Sequence, residues 1–113
     1  MSEKQPNEPM IFSRFADCCR HIYSLSEEAR HTVKVLLKKA GTDDPEAAEQ
    51  ILSSMTELDL NYYRITDISV LASLTNLTTL DLSNNLISDI SVLASLTNLT
   101  TLDLSNNLIS DIS

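Results

Sequence analysis

Residues Ile68 to Asp89 read ISVLASLTNLTTLDLSNNLISD, and Ile90 to Asp111 read the same 22 letters. A degenerate copy precedes them. Thr56 to Asp67, TELDLNYYRITD, aligns with Thr78 to Asp89, TTLDLSNNLISD, so Leu58, Leu80 and Leu102 fall in register. A fixed period of this length marks a stacked architecture, in which each unit is one supersecondary element that covers its neighbour. Within a unit the apolar positions are Leu74, Leu77, Leu80, Leu82, Ile87, Ile90 and Leu93. Leu80 and Leu82 alternate with period two, which predicts a short strand with both leucines inward and Thr79, Asp81 and Ser83 on the other face. The remaining leucines are spaced too closely and unevenly for a long helix, and suit short 3₁₀ turns or extended segments. Asn85 holds a fixed place in this apolar frame. If buried, its amide must be satisfied, most simply by backbone groups of its own turn and of the next repeat. One unit cannot bury its leucines alone; stacked units can, with strands about 4.8 Å apart.

The run from Leu77 to Ile90, L-x-x-L-x-L-x-x-N-x-I-x-D-I, resembles the leucine-rich repeat, in the 22-residue variety found in bacterial internalins and related proteins. The match covers residues 56–113, about half of the chain. The resemblance implies an α/β fold: a leucine-rich repeat solenoid, wound as a right-handed superhelix with a short parallel sheet on its concave side, preceded by an α-helical cap. It also implies that the concave and ascending faces bind a protein partner.

The first half reads as helices. Residues 1–9 are polar and are expected to form a flexible tail, 10–55 a helical cap, and 56–113 about two and a half repeats with no C-terminal cap. Over residues 10–24, Ile11, Phe15, Cys18 or Cys19, and Ile22 stand at helical spacing. Ser24 followed by Glu27 resembles a capping box for a second helix, whose apolar stripe is Ala29, Val33, Leu36, Leu37 and Ala40. Lys38 and Lys39 complement the dipole of its last turn, and Gly41 stops it. Asp43 and Asp44 before Pro45 predict a third helix over 45–54, with Ala48, Ile51, Leu52 and Met55 inward. Tyr63 stands where later units have Asn85 and Asn107, as suits an end unit with no preceding repeat to bond.

Charge narrows the function. Eight Lys and Arg against 16 Asp and Glu give a formal charge of −8. Nucleic acid and anionic membranes both attract basic surfaces, so neither is an expected partner. A three-helix segment also admits a helix-turn-helix reading, but these helices mix both signs and carry no basic stripe. No apolar run is long enough to span a bilayer, and the N-terminal residues lack the apolar stretch of a secretory signal, so a cytoplasmic location is expected. Under that expectation the glycosylation sequons at Asn76 and Asn98 are idle. The adjacent Cys18 and Cys19 do not make a disulfide framework, and with His21 they lack zinc-site spacing. Gly41 is the only glycine, which excludes a Gly-rich phosphate loop, and His21 and His31 have no nucleophile and orienter among their sequence neighbours. No catalytic residue, cofactor or metal is expected.

The expected site is the concave face: Glu57, Asp59 and Asn61, then Thr79, Asp81 and Ser83, then Thr101, Asp103 and Ser105. Asp59, Asp81 and Asp103 would form a ladder of like charges at strand spacing, relieved by a basic ligand or a cation, or else simply a solvated face. On that argument, Asp81→Asn with Asp103→Asn should raise stability at low salt. From Ile65 onward there are five Asp and no Lys or Arg. Asp67, Asp89 and Asp111 suit turn formation rather than metal binding. Leu86 and Leu108 form a flank column with Arg64, and Val70 and Val92 are expected at the surface. Leu102, Leu104, Leu108, Ile109 and Ile112 would line an open edge able to pair with another chain, giving a homo-oligomer as the alternative to a protein-binding module.

Overall fold

The computed structural model describes residues 14–109. Three helices, α1 (Phe15–Arg20), α2 (Glu27–Ala40) and α3 (Pro45–Ser54), lead into three strands of three residues each, β1 (Glu57–Asp59), β2 (Thr79–Asp81) and β3 (Thr101–Asp103). The strands form one parallel sheet in the order β1-β2-β3, with Leu58 opposite Leu80 and Leu80 opposite Leu102. Each return from one strand to the next passes through a 3₁₀ turn, Ser69–Ser73 or Ser91–Ser95. The register is the 22-residue period made visible: equal loops place equal residues side by side.

Between the strands and the turns lies the core. Leu58, Leu60, Ile65, Ile68, Leu71, Leu74, Leu77, Leu80, Leu82 and Ile87 are all buried. Val70 belongs with them, and Val92 is half-buried against the same core, so neither occupies the surface position expected for it. The 3₁₀ turn explains this: its three-residue period brings Val70 back over the leucines rather than out to solvent.

The helices close the other end of this core. Thr32, fully buried on α2, donates through Oγ1 to the Asp67 carbonyl at 2.5 Å, and His31 Nε2 lies 2.6 Å from the Tyr63 carbonyl. A carbonyl only accepts, so this nitrogen carries the imidazole proton. The Lys39 ammonium stands 5.1 Å from the centre of the Tyr63 ring. Tyr63, in the place of an asparagine, thus meets α2 where Asn85 and Asn107 meet the unit before them.

Helix boundaries follow local chemistry, with corrections. Ser26, not Ser24, caps α2, accepting from Ala29 N at 3.1 Å. Gly41 ends the helix at φ 78°, a left-handed conformation that costs glycine nothing. Asp44 caps α3 through Ala47 N, with Pro45 in its first turn. The single helix expected over 10–24 is instead α1 and a 3₁₀ turn, Ile22–Ser24, which keeps Ile22 and Leu25 packed on the core; Ile11 and the rest of 1–13 lie outside the described residues. Thr32 and Val35 join the buried face of α2, while Leu37 and Ala40 are half-buried. Ile51 is 40% exposed, because α3 buries only the narrow row Ala48 and Leu52. Arg14 offers α1 no side-chain cap; Glu49 of α3 supplies one, accepting from Ala16 N at 3.0 Å. Arg14 also pairs with Glu46 and Glu49, and Arg20 with Asp17 and Glu46.

Asn85 ties the units together. Its Oδ1 accepts from Tyr63 N and Ile65 N, and its Nδ2 donates to the carbonyls of Leu60, Leu82 and Ser83. The bonds run to its own turn and to the preceding unit, not the next. Asn107 repeats the pattern on Ile87 N, Leu82, Leu104 and Ser105, but is only half-buried. Removing a buried amide strands several backbone groups without water, whereas water can replace it at a half-open site. Asn85→Ala is expected to cost about 3–5 kcal/mol and Asn107→Ala about 1–2 kcal/mol, a difference that urea unfolding of the two variants measures directly.

Candidate functional site

The parallel register places three carboxylates in one row: Asp59 beside Asp81, and Asp81 beside Asp103. Alternation turns their side chains away from Leu58 and Leu80, which are buried. Glu57, Asp59, Thr101, Asp103 and Ser105 are exposed, and Thr79, Asp81 and Asn61 are half-buried. Ser83 is the exception among the nine residues expected on this face. It is buried, its hydroxyl 2.5 Å from Asp81 Oδ1 and 3.1 Å from Asn61 Oδ1. Its counterpart Ser105, in the end unit, is exposed, so the burial of Ser83 comes from the units on either side of it.

Each aspartate spends one oxygen on its own turn. Oδ1 of Asp59 accepts from Asn61 N, that of Asp81 from Ser83 N and Oγ, and that of Asp103 from Ser105 N and Oγ. Their Oδ2 atoms take no hydrogen bond among the described residues. The Ser105 hydroxyl, with its backbone N–H, holds the Asp103 carboxyl below its ordinary value. Net repulsion along the ladder would push it the other way. At this rung the bonds from Ser105 are the largest influence on the carboxyl.

A second ladder, missed in the sequence, flanks the first. Asn84 Nδ2 donates to Asn61 Oδ1, and Asn106 Nδ2 to Asn84 Oδ1, both at 2.9 Å. Asn84 and Asn106 have φ of 58° and 60°, a region that asparagine tolerates. The paired asparagines of each unit were the available signal. The first unit puts Tyr62 and Arg64 at φ of 65° and 58° instead. The sequon asparagines are structural too: Asn76 Nδ2 donates to the Ser53 carbonyl and Asn98 Nδ2 to that of Thr75.

Asp67 and Asp89 each accept from the backbone N–H two residues on, as turn-formers do; Asp111 lies outside the described residues. Among the described residues no group of three or more His, Cys, Asp and Glu is placed to hold a metal ion, and no helix is long and apolar enough to cross a membrane. Burial pushes the thiols of Cys18 and Cys19 up to about 11, so both are protonated and weakly nucleophilic near neutral pH.

At the far side of the stack, Leu102 is 40% exposed where its counterpart Leu80 is 1% exposed, and Leu104 and Ile109 are half-buried. Leu108 does not belong to this edge. Leu86, at the same place in the covered unit, is also exposed, so both belong to the flank column. Ile112 lies outside the described residues.

The sequence profile of the family described as Leucine Rich repeats (2 copies) matches residues 53–95 and 75–113. The chain belongs to the leucine-rich repeat family. Among solved structures it is similar to internalin C2 of Listeria monocytogenes, at 47% identity and a TM-score of 0.53 over 57% of this chain and 28% of that one. It is also similar to an internalin, InlF, of the same organism, at 35% identity and a TM-score of 0.53 over 57% of this chain and 19% of that one. The matched part therefore spans less than a third of either internalin. No curated protein sequence matches the chain significantly. Leucine-rich repeat domains of this kind are protein-interaction modules and are typically non-catalytic.

The lowered Asp103 value has a sign. A carboxyl depressed in the folded state contributes stability above its unfolded value near 3.8 and loses that contribution as pH falls through the folded value. Ser105→Ala is therefore expected to move the Asp103 titration upward, read by NMR, and to reduce the loss of stability on acidification.

Proposed function

We propose that this leucine-rich repeat domain uses its concave face to hold a basic segment of a partner protein, without catalysis. The observation that carries the reading is the row of three aspartates in register, each with Oδ2 open. Strand spacing sets the carboxylates about 4.8 Å apart, within reach of adjacent Lys or Arg side chains on one bound segment. The repeat half adds no cation of its own from Ile65 onward, so nothing in it competes for the row. Glu57 extends the negative surface, and Thr79, Thr101, Asn61 and Ser105 surround it with neutral donors and acceptors.

Each exposed ion pair contributes little, about 0–1 kcal/mol, so affinity must come from several rungs acting together. A fluorescent peptide rich in Lys and Arg serves as the probe. Asp81→Asn with Asp103→Asn is expected to weaken its binding about tenfold, and raising the salt should weaken it further. Unchanged affinity in the double variant would remove the concave row from the reading.

The exposure of Leu102 favours a second reading, in which the outer side of the third unit associates with another copy of the chain. β3 is hydrogen-bonded on one side only among the described residues, and open strands recruit others. Light scattering over a concentration series is expected to show a dimer or larger species that Leu102→Glu disperses. A monomer throughout would eliminate this reading and leave the concave one standing.

A further inference from the structure

We infer that the outer face of α2 is a docking site for an acidic protein segment that also carries an apolar residue. Seven Lys and Arg lie among the described residues, and only Arg14 and Arg20 form ion pairs there. Four of the other five stand on α2. Arg30, Lys34 and Lys38 recur every fourth residue, which lines them up as one cationic row about 12 Å long. Lys39 is engaged separately, with the Tyr63 ring.

Two adjoining grooves share Lys34. One, of about 480 Å³, runs between the 3₁₀ turn and α2 and is lined by Ile22, Tyr23, Arg30, His31 and Lys34. The other, of about 490 Å³, continues past Lys34 to Leu37 and Lys38. Cations and apolar groups therefore stand together in both grooves, which meet at Lys34. Tyr23 is 89% exposed, with the Arg30 guanidinium 5.9 Å from the centre of its ring. An exposed aromatic beside an unpaired cation has the composition of an interface anchor.

The row is also held ready. Thr32, Val33, Val35 and Leu36 bury the opposite face of α2, which fixes the rotation of the helix before any partner arrives. The footprint favours a peptide over a nucleic acid. Glu27 lines the first groove and Asp43 the second, flanking the three cations with negative charge. A phosphate backbone needs a longer unbroken basic track than three cations bounded by Glu27 and Asp43. A short segment with carboxylates around one leucine or phenylalanine satisfies both the cations and the apolar lining. This surface lies on the helical half and does not depend on the concave reading.

The test uses a short fluorescent peptide with glutamates around one leucine, titrated against the full chain by anisotropy. Saturable binding that weakens with salt, falls about tenfold in Lys34→Glu, falls less in Lys34→Gln, and is unchanged in Asp81→Asn is the expected result. Lys34 is exposed, so circular dichroism and thermal melts of both variants should match the parent. Three results would each overturn the proposal: no saturable binding, affinity indifferent to Lys34→Glu, or equal affinity for a single-stranded DNA of the same charge.

Discussion

Leu80 is 1% exposed because one unit lies on each side of it; Leu102, the same residue one period later, is 40% exposed. Burying a leucine is worth about 1.5–3 kcal/mol, but a three-residue strand cannot supply that burial for itself. Every leucine of the spine depends on a neighbouring unit, and the first unit depends on the helices. α2 meets it with Thr32, whose hydroxyl satisfies the Asp67 carbonyl, and with His31 on the Tyr63 carbonyl. Helix and repeat thus solve the same problem, apolar coverage together with partners for the backbone groups it buries.

Those partners explain why polar residues persist within the apolar frame. Asn85 serves five backbone groups at once, two as acceptor and three as donor. An irregular turn buried between units has no ladder of its own to satisfy its N–H and C=O groups, and one amide side chain can serve both kinds. Asn84 and Asn106 link the units a second time. Because these contacts fix each turn against the one before, the strands keep their register and the aspartates stay in line.

The two halves distribute their charges differently. Arg14 and Arg20 are drawn into pairs with Glu46, whose carboxyl is held below its ordinary value chiefly by the hydrogen bond from Arg20. That cluster joins α1 to α3. It leaves Arg30, Lys34 and Lys38 of α2 outside its ion pairs, while the strands carry carboxylates and no cation. The separation follows from packing: α2 turns its apolar face to the first unit, and β1, β2 and β3 turn theirs to the same core.

Much of this was legible in the residues. The period of 22 fixed the number of strands and their register, because identical units must stack identically. Gly41 and Pro45 marked helix ends, and the alternation of Leu80 and Leu82 set which side Asp81 occupies. Other features required the folded chain. Glu27 three residues on makes Ser24 the stronger local capping signal, yet in the folded chain Ser26 caps α2. Val70 reads as a surface residue until a 3₁₀ turn carries it inward. Ser83 reads as an open position on the face until the units on either side cover it. Periodicity and turn chemistry are local, so the sequence by itself determined the repeat, its strands and the row of aspartates. Burial and pairing are decided by residues far apart in the chain, so only the tertiary structure decided which side chains reach solvent, which cations stay unpaired, and where Asn85 sends its bonds.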